Sequence, residues 1–384
     1  YAMALLQSGE EQKGLDVFEQ LYIAGLLSEE GKLEYGKALL SMGDSTLAYE
    51  VLTPVEGSAA CCLKGLVAVN LQKWKEAERY FSECKANVTD KEKPYVLFYL
   101  GYAQFVLEKY EESFKTLETF SQLYPYHRLT QKAINTQMTC ALHLSQEKKD
   151  KQWLIEAGAL GEKLIATATS EKEKEQFLLT TAEIYKSAEE YDKVFELLNP
   201  YSKGQKDINY RVQLFLGEIY VSQGDYAKAL DLYDSIARSA GNREIKEIAL
   251  YRQGFLYFSE GHYEMASDIF TRYIRSFPSG SYGDGALYYK GECLKYMNQA
   301  DLAILQYENL LSNYPEGTYR YNSLVSLVTL YTDKGEYDKA LEYATILTKD
   351  YKEYDHEDMI RELDLLRQGM GKNTVSLLTE YKKA

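Results

Sequence analysis

The sequence predicts an all-α protein built from tandem pairs of antiparallel helices. Only six prolines occur in 384 residues, so long stretches contain no helix breaker. Small residues also recur at a fixed spacing, because Gly217, Gly254 and Gly291 are each 37 residues apart and the next step leads to Val328. Each of these four marker positions is followed, twelve residues later, by an alanine: Ala229, Ala266, Ala303 and Ala340. A fixed period of this length is typical of helical repeat proteins.

Each period contains the parts of one helix pair. Two helices can approach closely only where their side chains are small, and bulky neighbours then fill the groove between them. The marker and alanine positions supply the small residues, and aromatic or large apolar residues stand three and sixteen positions after most markers. Gly224, Gly261 and Gly335 are predicted to end the first helix with a positive φ, and Pro278 and Pro315 to stop the second.

This order of glycine, aromatic, alanine, aromatic and proline residues resembles the tetratricopeptide repeat family, with three residues added between repeats. The resemblance implies a right-handed superhelical solenoid of about ten helix pairs. We expect the solenoid to span residues 1–352, with a degenerate repeat at about 127–169, and residues 353–384 to form one or two capping helices, because a terminal repeat has no neighbour to cover its apolar face. The same offsets recur upstream from Ala2, Gly36, Gly65, Gly101 and Ala182.

Composition and charge limit the classes of partner. The 44 basic and 58 acidic side chains give a net charge of -14, which repels nucleic-acid phosphates and anionic lipid head groups. No apolar run approaches the roughly 20 residues of a membrane span. Because numbering begins at Tyr1, we expect that a signal or a lipid-attachment site can lie upstream of it. The five cysteines form no CxxC motif, so we predict neither a zinc site nor a disulfide framework.

Catalytic patterns are missing from the sequence. None of the four histidines has a spacing that would bring two of them onto one helix face, and no phosphate-binding or nucleophile motif is present. Pairs of glutamates such as Glu111–Glu112 are typical of solvated helix starts. We therefore predict no catalytic residue, no metal site and no cofactor, and keep an unrecognised all-helical enzyme as the alternative from another class.

A partner would bind along the first helices of the pairs, which line the concave face of such a solenoid. We expect the residues three before, one after and four after each marker to face this groove. They form one aromatic patch in each half of the chain. The candidate binding residues are Phe98, Tyr102 and Phe105, with Tyr95 a turn earlier, in the first patch, and Tyr251, Phe255, Phe258, Tyr288, Glu292 and Lys295, with Tyr296 adjacent, in the second. Packing of these rings inside the repeats is an equally weighted alternative.

The resemblance also bears on partner and compartment. Chaperone-binding members of the family hold a terminal carboxylate with basic and amide side chains, whereas Glu218, Phe255 and Glu292 follow the markers here, so a neutral or basic segment is the better match. Residues 276–294 and 312–327 resemble repeat junctions of bacterial envelope proteins, of the Tol-Pal coordinator and outer-membrane barrel-assembly lipoprotein type. We therefore predict a non-catalytic scaffold or adaptor for proteins or peptides, periplasmic and outer-membrane-associated, with a cytoplasmic peptide-sensing regulator as the alternative.

Overall fold

The chain folds into α-helices that divide between two compact units. The computed structural model describes residues 1–86, 88–352, 354 and 356–368. These residues form 21 α-helices and one short 3-10 helix, and they contain no β-strand. Unit 1 spans Tyr1–Leu198 and unit 2 spans Asn199–Ala384. The predicted all-helical fold of about ten helix pairs is confirmed, because the first twenty helices form ten consecutive pairs.

Unit 1 contains twelve described helices, or six pairs. The first six are α1 (Ala2–Gln7), α2 (Glu11–Ile23), α3 (Glu29–Met42), α4 (Ser45–Leu52), α5 (Ser58–Asn70) and α6 (Trp74–Cys84). The next six are α7 (Lys93–Val106), α8 (Tyr110–Leu123), α9 (Thr130–Lys148), α10 (Gln152–Thr167), α11 (Glu171–Ser187) and α12 (Tyr191–Leu198).

Unit 2 begins with the 3-10 turn Asn199–Tyr201 and continues with four helix pairs and a further helix. The first two pairs are α13 (Asp207–Ser222) with α14 (Tyr226–Ser239), and α15 (Arg243–Ser259) with α16 (Tyr263–Ser276). The next are α17 (Gly283–Tyr296) with α18 (Ala300–Asn313), and α19 (Arg320–Asp333) with α20 (Tyr337–Asp350). The last described helix is α21 (Glu357–Arg367).

The marker glycines bring the two helices of a pair into close contact. A Cβ atom at Gly217 would lie 2.5 Å from the ring of Tyr233, and one at Gly291 would lie 2.5 Å from the ring of Tyr307. In both pairs the ring belongs to the residue sixteen positions after the marker, as the repeat pattern predicts. The alanine twelve positions after the marker is fully buried, as Ala266 is. Small and bulky positions therefore complement each other within these pairs.

A left-handed residue at a constant distance from the marker ends the first helix of nine pairs. It lies seven positions after the marker in each of them, and the predicted turns at Gly224, Gly261 and Gly335 are confirmed, with φ values of 77°, 76° and 74°. The same position in the other six pairs is occupied by two further glycines, Gly9 and Gly43, and by Gln72, Glu108, Glu189 and Asn298. Because a residue with a Cβ atom pays a steric cost in this conformation, the fold, rather than the local sequence, fixes the turn at the four positions that lack glycine.

The repeat at 127–169 keeps the helix pair but moves the small residues. Its two helices, α9 and α10, are joined by a turn at Lys149, whose φ is 51°. Gly158 on α10 lies against Tyr185, and Gly161 lies against Thr181, both on α11. The close approach is thus made by the second helix of this pair and the first helix of the next. The repeat pattern fades there because the small positions have changed helix.

The last described helix covers the end of unit 2. Met359 and Leu363 of α21 are buried in the cluster that also contains Ala344 and Leu347 of α20. One expected capping helix therefore corresponds to α21. The remainder of the predicted capping region, residues 369–384, lies outside the described residues.

Candidate functional site

Three of the predicted groove residues pack against the second helix of their own pair. Phe98, Tyr251 and Tyr288 each stand three residues before a marker. Their ring centroids lie 5.9 Å from Phe120, 6.0 Å from Tyr273 and 6.1 Å from Tyr307, respectively. Phe98 is only 6% exposed. This position therefore contributes chiefly to packing within the pair. Tyr95, a turn earlier on α7, contacts His127 edge-on at 5.2 Å.

Phe255 and Phe258, one and four positions after Gly254, reach the surface between successive first helices in unit 2. Phe255 contacts Tyr289 at 5.0 Å, and Phe258 contacts Tyr289 at 5.1 Å. Tyr263, the first residue of α16, stacks on Tyr296 of α17 with a centroid distance of 4.5 Å and an interplanar angle of 7°. We call Phe255, Phe258, Tyr263, Tyr289 and Tyr296 the unit 2 ring cluster.

An equivalent arrangement occurs in unit 1. Phe105 stands four residues after Gly101, as Phe258 does after Gly254, and it contacts both Tyr110 (6.0 Å) and His143 (6.5 Å). Tyr110 stacks on His143 at 4.3 Å with an interplanar angle of 1°. We call Phe105, Tyr110 and His143 the unit 1 ring cluster. Tyr102 continues it towards Trp74, whose ring lies 5.7 Å away.

The unit 2 ring cluster is the more exposed of the two. Phe255 is 42% exposed and Tyr296 is 55% exposed, whereas Phe105, Tyr110 and Tyr102 are half-buried. Partial burial raises the pKa of Tyr296, and the nearby Glu292 carboxylate adds to this shift. The phenol is therefore neutral at physiological pH. Exposed aromatic rings of this kind combine a large contact area with a low entropic cost of ordering.

Glu292 and Lys295, two further predicted site residues, form a polar network with Tyr307 and Ser326. Glu292 is only 7% exposed, and its Oε1 accepts hydrogen bonds from the Tyr307 hydroxyl (2.7 Å) and the Ser326 hydroxyl (3.1 Å). Lys295 Nζ lies 2.6 Å from each carboxylate oxygen. Burial raises the pKa of the Tyr307 phenol, and the Glu292 charge adds to it. The Glu292 carboxylate therefore bonds to side chains within the protein, and these bonds connect three helices of unit 2.

Replacing Glu292 by alanine is expected to lower the free energy of unfolding by about 3 kcal/mol, because the Tyr307 hydroxyl and the Lys295 ammonium lose their shared buried partner. Tyr307→Phe in the Glu292→Ala background should recover part of that loss by removing the orphaned hydroxyl. Urea denaturation followed by circular dichroism measures both. Glu264→Ala, at an exposed position on α16, is the control and should change stability by no more than about 0.5 kcal/mol. Equal effects of Glu292→Ala and Glu264→Ala would show that the network is dispensable.

Four ring-cluster residues were missed by the sequence interpretation, namely Tyr110, His143, Tyr263 and Tyr289. Tyr110 and Tyr263 open the second helix of their pairs, nine positions after the marker, and His143 comes from the following pair. A signal for the first two was present, because the same position is aromatic in four other repeats: Trp74, Tyr191, Tyr226 and Tyr337. The position of His143, which the following pair supplies, is not marked by a recurring aromatic residue in the sequence.

Among the described residues, no group of three His, Cys, Asp or Glu side chains is arranged to hold a metal ion. None of the helices in the described part of the chain combines the length and apolar character that a bilayer crossing requires.

The repeated helix pairs define a class of protein, the helical-repeat scaffolds that bind other proteins. A tetratricopeptide repeat model matches residues 95–125, 248–280 and 285–317, and a second tetratricopeptide repeat model matches residues 214–247. These segments coincide with the pairs α7/α8, α15/α16, α17/α18 and α13/α14. The chain therefore carries tetratricopeptide repeats, which supports an interaction scaffold of a typically non-catalytic kind. No curated protein matches the chain.

Several solved structures are similar to the chain at low identity. PilW, described as a widely conserved type IV pilus biogenesis factor, is 16% identical over 59% of this chain and 97% of its own, with a TM-score of 0.41. The APC/C hetero-tetramer Cut9-Hcn1 is 12% identical over 94% of this chain and 95% of its own, with a TM-score of 0.34. The TPR domain of P58(IPK) is 16% identical over 97% of this chain and 98% of its own, with a TM-score of 0.30.

Proposed function

We propose that the chain is a scaffold whose unit 2 ring cluster binds a positively charged segment of a partner protein. The observation that carries this proposal is the exposure of Phe255 (42%) and Tyr296 (55%) beside the partly buried Phe258 and Tyr289. Exposed rings that pack against partly buried rings form a surface on which an apolar or aromatic side chain of a partner can bind. Such anchors supply most of the energy of protein–protein binding.

The charge of the chain supports a basic partner. The net charge is -14, and Glu260 and Glu264, which lie within two residues of Phe258 and Tyr263 in the sequence, are both exposed. Lys295, the basic residue nearest in sequence to Tyr296, is held by Glu292. Complementary charge accelerates association and makes binding sensitive to salt. Tyrosine faces also attract Lys and Arg side chains directly.

Removing both exposed rings is expected to abolish most of this binding. A peptide display library panned against the full chain should enrich sequences that combine basic residues with an aromatic or aliphatic anchor. For the enriched peptides, Phe255→Ala with Tyr296→Ala should lower affinity at least about tenfold, as the loss of two anchors of roughly 1 kcal/mol or more implies. Fluorescence anisotropy at low and high salt measures the affinity and its electrostatic part.

A matched control lies on the second helix of the next pair. Leu302 and Leu305 of α18 are 50% and 49% exposed, close to the exposure of the two ring residues. Leu302→Ala with Leu305→Ala should leave peptide affinity unchanged. Enrichment of acidic peptides, or equal affinity for the wild-type chain and the Phe255→Ala, Tyr296→Ala variant, would contradict the proposal.

We also propose that the scaffold acts in the bacterial cell envelope. The support for this is the resemblance of residues 276–294 and 312–327 to the junctions of envelope repeat proteins, and the likeness to any particular envelope protein stays a hypothesis. Fractionation of cells that express the tagged natural protein tests it. Recovery with the membrane and periplasmic fractions is expected, whereas recovery with the cytosol would favour the peptide-sensing regulator instead.

A further inference from the structure

Two cysteines of unit 1 lie against each other inside one helix pair. Cys62 on α5 and Cys84 on α6 are 5% and 1% exposed, and their Sγ atoms are 3.0 Å apart. Both are free thiols. This separation is shorter than the roughly 3.5–4.0 Å of an ordinary contact between heavy atoms. The two cysteines are 22 positions apart in the sequence and form no CxxC motif, so the sequence did not predict this proximity.

The register of the repeat explains why these two side chains meet. Cys62 stands three residues before the marker Gly65, and Cys84 stands nineteen residues after it. The same two positions are in contact in other pairs: Phe98 with Phe120, and Tyr251 with Tyr273. The contact between the cysteines is therefore a property of the helix-pair geometry, which holds the two thiols together in the native state.

We propose that Cys62 and Cys84 form an intramolecular disulfide by exchange with a low-molecular-weight disulfide such as oxidised glutathione. Closing the gap from 3.0 Å to a bonded distance of about 2.05 Å requires a movement of about 1 Å, which rotation of the two side chains can supply. The proposal is independent of the partner-binding function, because neither cysteine belongs to a ring cluster.

The exchange proceeds in two balanced steps. The Cys84 thiolate attacks one sulfur of the donor, the donor S–S bond breaks, and one donor thiolate leaves. Cys62 then loses its proton and attacks Cys84 Sγ, which breaks the mixed disulfide and releases the second donor thiolate. In total, two cysteine thiols are oxidised to one disulfide, and one donor disulfide is reduced to two thiols.

The surroundings favour Cys84 as the first nucleophile. The Cys62 S–H donates to Cys84 Sγ, which lowers the pKa of Cys84 and raises that of Cys62. Cys61 is the competitor, because it is adjacent and half-buried. Its thiol donates instead to Glu83 Oε2 at 3.6 Å, and burial together with this carboxylate raises its pKa. Cys61 is therefore the poorer nucleophile. The burial of Cys84 requires a transient opening of the α5–α6 pair and makes the reaction slow.

Oxidation and peptide mapping of the full chain test the proposal. After incubation with oxidised glutathione, alkylation in denaturant should label three of the five cysteines instead of five. Trypsin cuts after Lys64 and after Lys85, so the new bond should link the peptide that ends at Lys64 to the one that contains Cys84. The melting temperature should rise by about 5 °C on oxidation and return on reduction, because the cross-link restricts the unfolded chain.

Two variants make the result specific. Cys84→Ala should keep all remaining thiols free and remove the rise in melting temperature, whereas Cys61→Ala should still form the cross-link. Five labelled cysteines after prolonged oxidation, a bond between Cys61 and Cys62, or a stable mixed disulfide with glutathione on Cys84 would each overturn the proposal. The thiol count in the wild-type chain decides the question even if Cys84→Ala folds poorly.

Discussion

Replacing Ala266 by aspartate is expected to lower the free energy of unfolding of unit 2 by about 4 kcal/mol. Ala266 has no exposed surface, and it packs in the core between α15 and α16, twelve residues after Gly254. The aspartate would place an unpaired carboxylate among apolar side chains and would also force the two helices apart. Urea denaturation monitored by far-ultraviolet circular dichroism measures the loss.

An exposed alanine on a second helix provides the control for this change. Ala227 lies in the first turn of α14 and is exposed. Ala227→Asp should change stability by no more than about 0.5 kcal/mol, because the added charge is solvated and lies near the positive end of the helix dipole. If both variants unfolded at the wild-type urea concentration, Ala266 would not be at the helix crossing.

Raising the pH above about 10 is expected to unfold the protein, because buried tyrosines resist ionisation only while the protein stays folded. Burial raises the pKa of Tyr35 and of Tyr233 from 10.0 to about 12. The folded state therefore keeps protons that the unfolded state releases. The stability that these phenols contribute is complete below pH 10 and is lost as the pH rises from 10 to 12, by about 1.4 kcal/mol per pH unit for each such tyrosine.

Two signals recorded on the same sample test this expectation. Tyrosinate absorbance should rise in two phases, the second of which coincides with the loss of helical circular dichroism. Tyr35→Phe removes one ionising group that is only 1% exposed, and it should shift the alkaline unfolding midpoint upward. A single titration near pH 10 with the helices intact would mean that the tyrosines are not protected by burial.

Most of the fold could be predicted because its determinants recur. The marker glycines, the buried alanines and the residue sixteen positions after each marker repeat at constant offsets, and the structure confirms their contacts. Prediction was weakest at the degenerate repeat, where Gly158 and Gly161 make the close approach from the second helix. A pattern search that expects the small residue on the first helix does not detect a repeat in which the small residues lie on the second helix.

The candidate site could be predicted only in part, because it is formed between repeats. Phe255 and Tyr296 were named from the sequence, and both are exposed. Phe98 and Glu292 were named by the same rule, yet they are buried at 6% and 7% exposure. On one face of a first helix, one residue can be exposed while a residue one turn away packs against a neighbouring helix. The number of positions from the marker therefore does not determine whether a side chain is exposed. Whether the exposed rings bind a partner stays a prediction.

The constant turn has a consequence for how such a chain can change in length. The left-handed residue follows its marker by seven positions in nine pairs, yet Gly36 and Gly65 are only 29 residues apart, whereas Gly254 and Gly291 are 37 apart. In these pairs the variation in repeat length therefore falls between the turn and the next marker, in the second helix, in the junction or in the start of the next first helix. Insertions and deletions acquired in evolution, or a tag added by design, are accommodated at those junctions without altering the contact between paired helices.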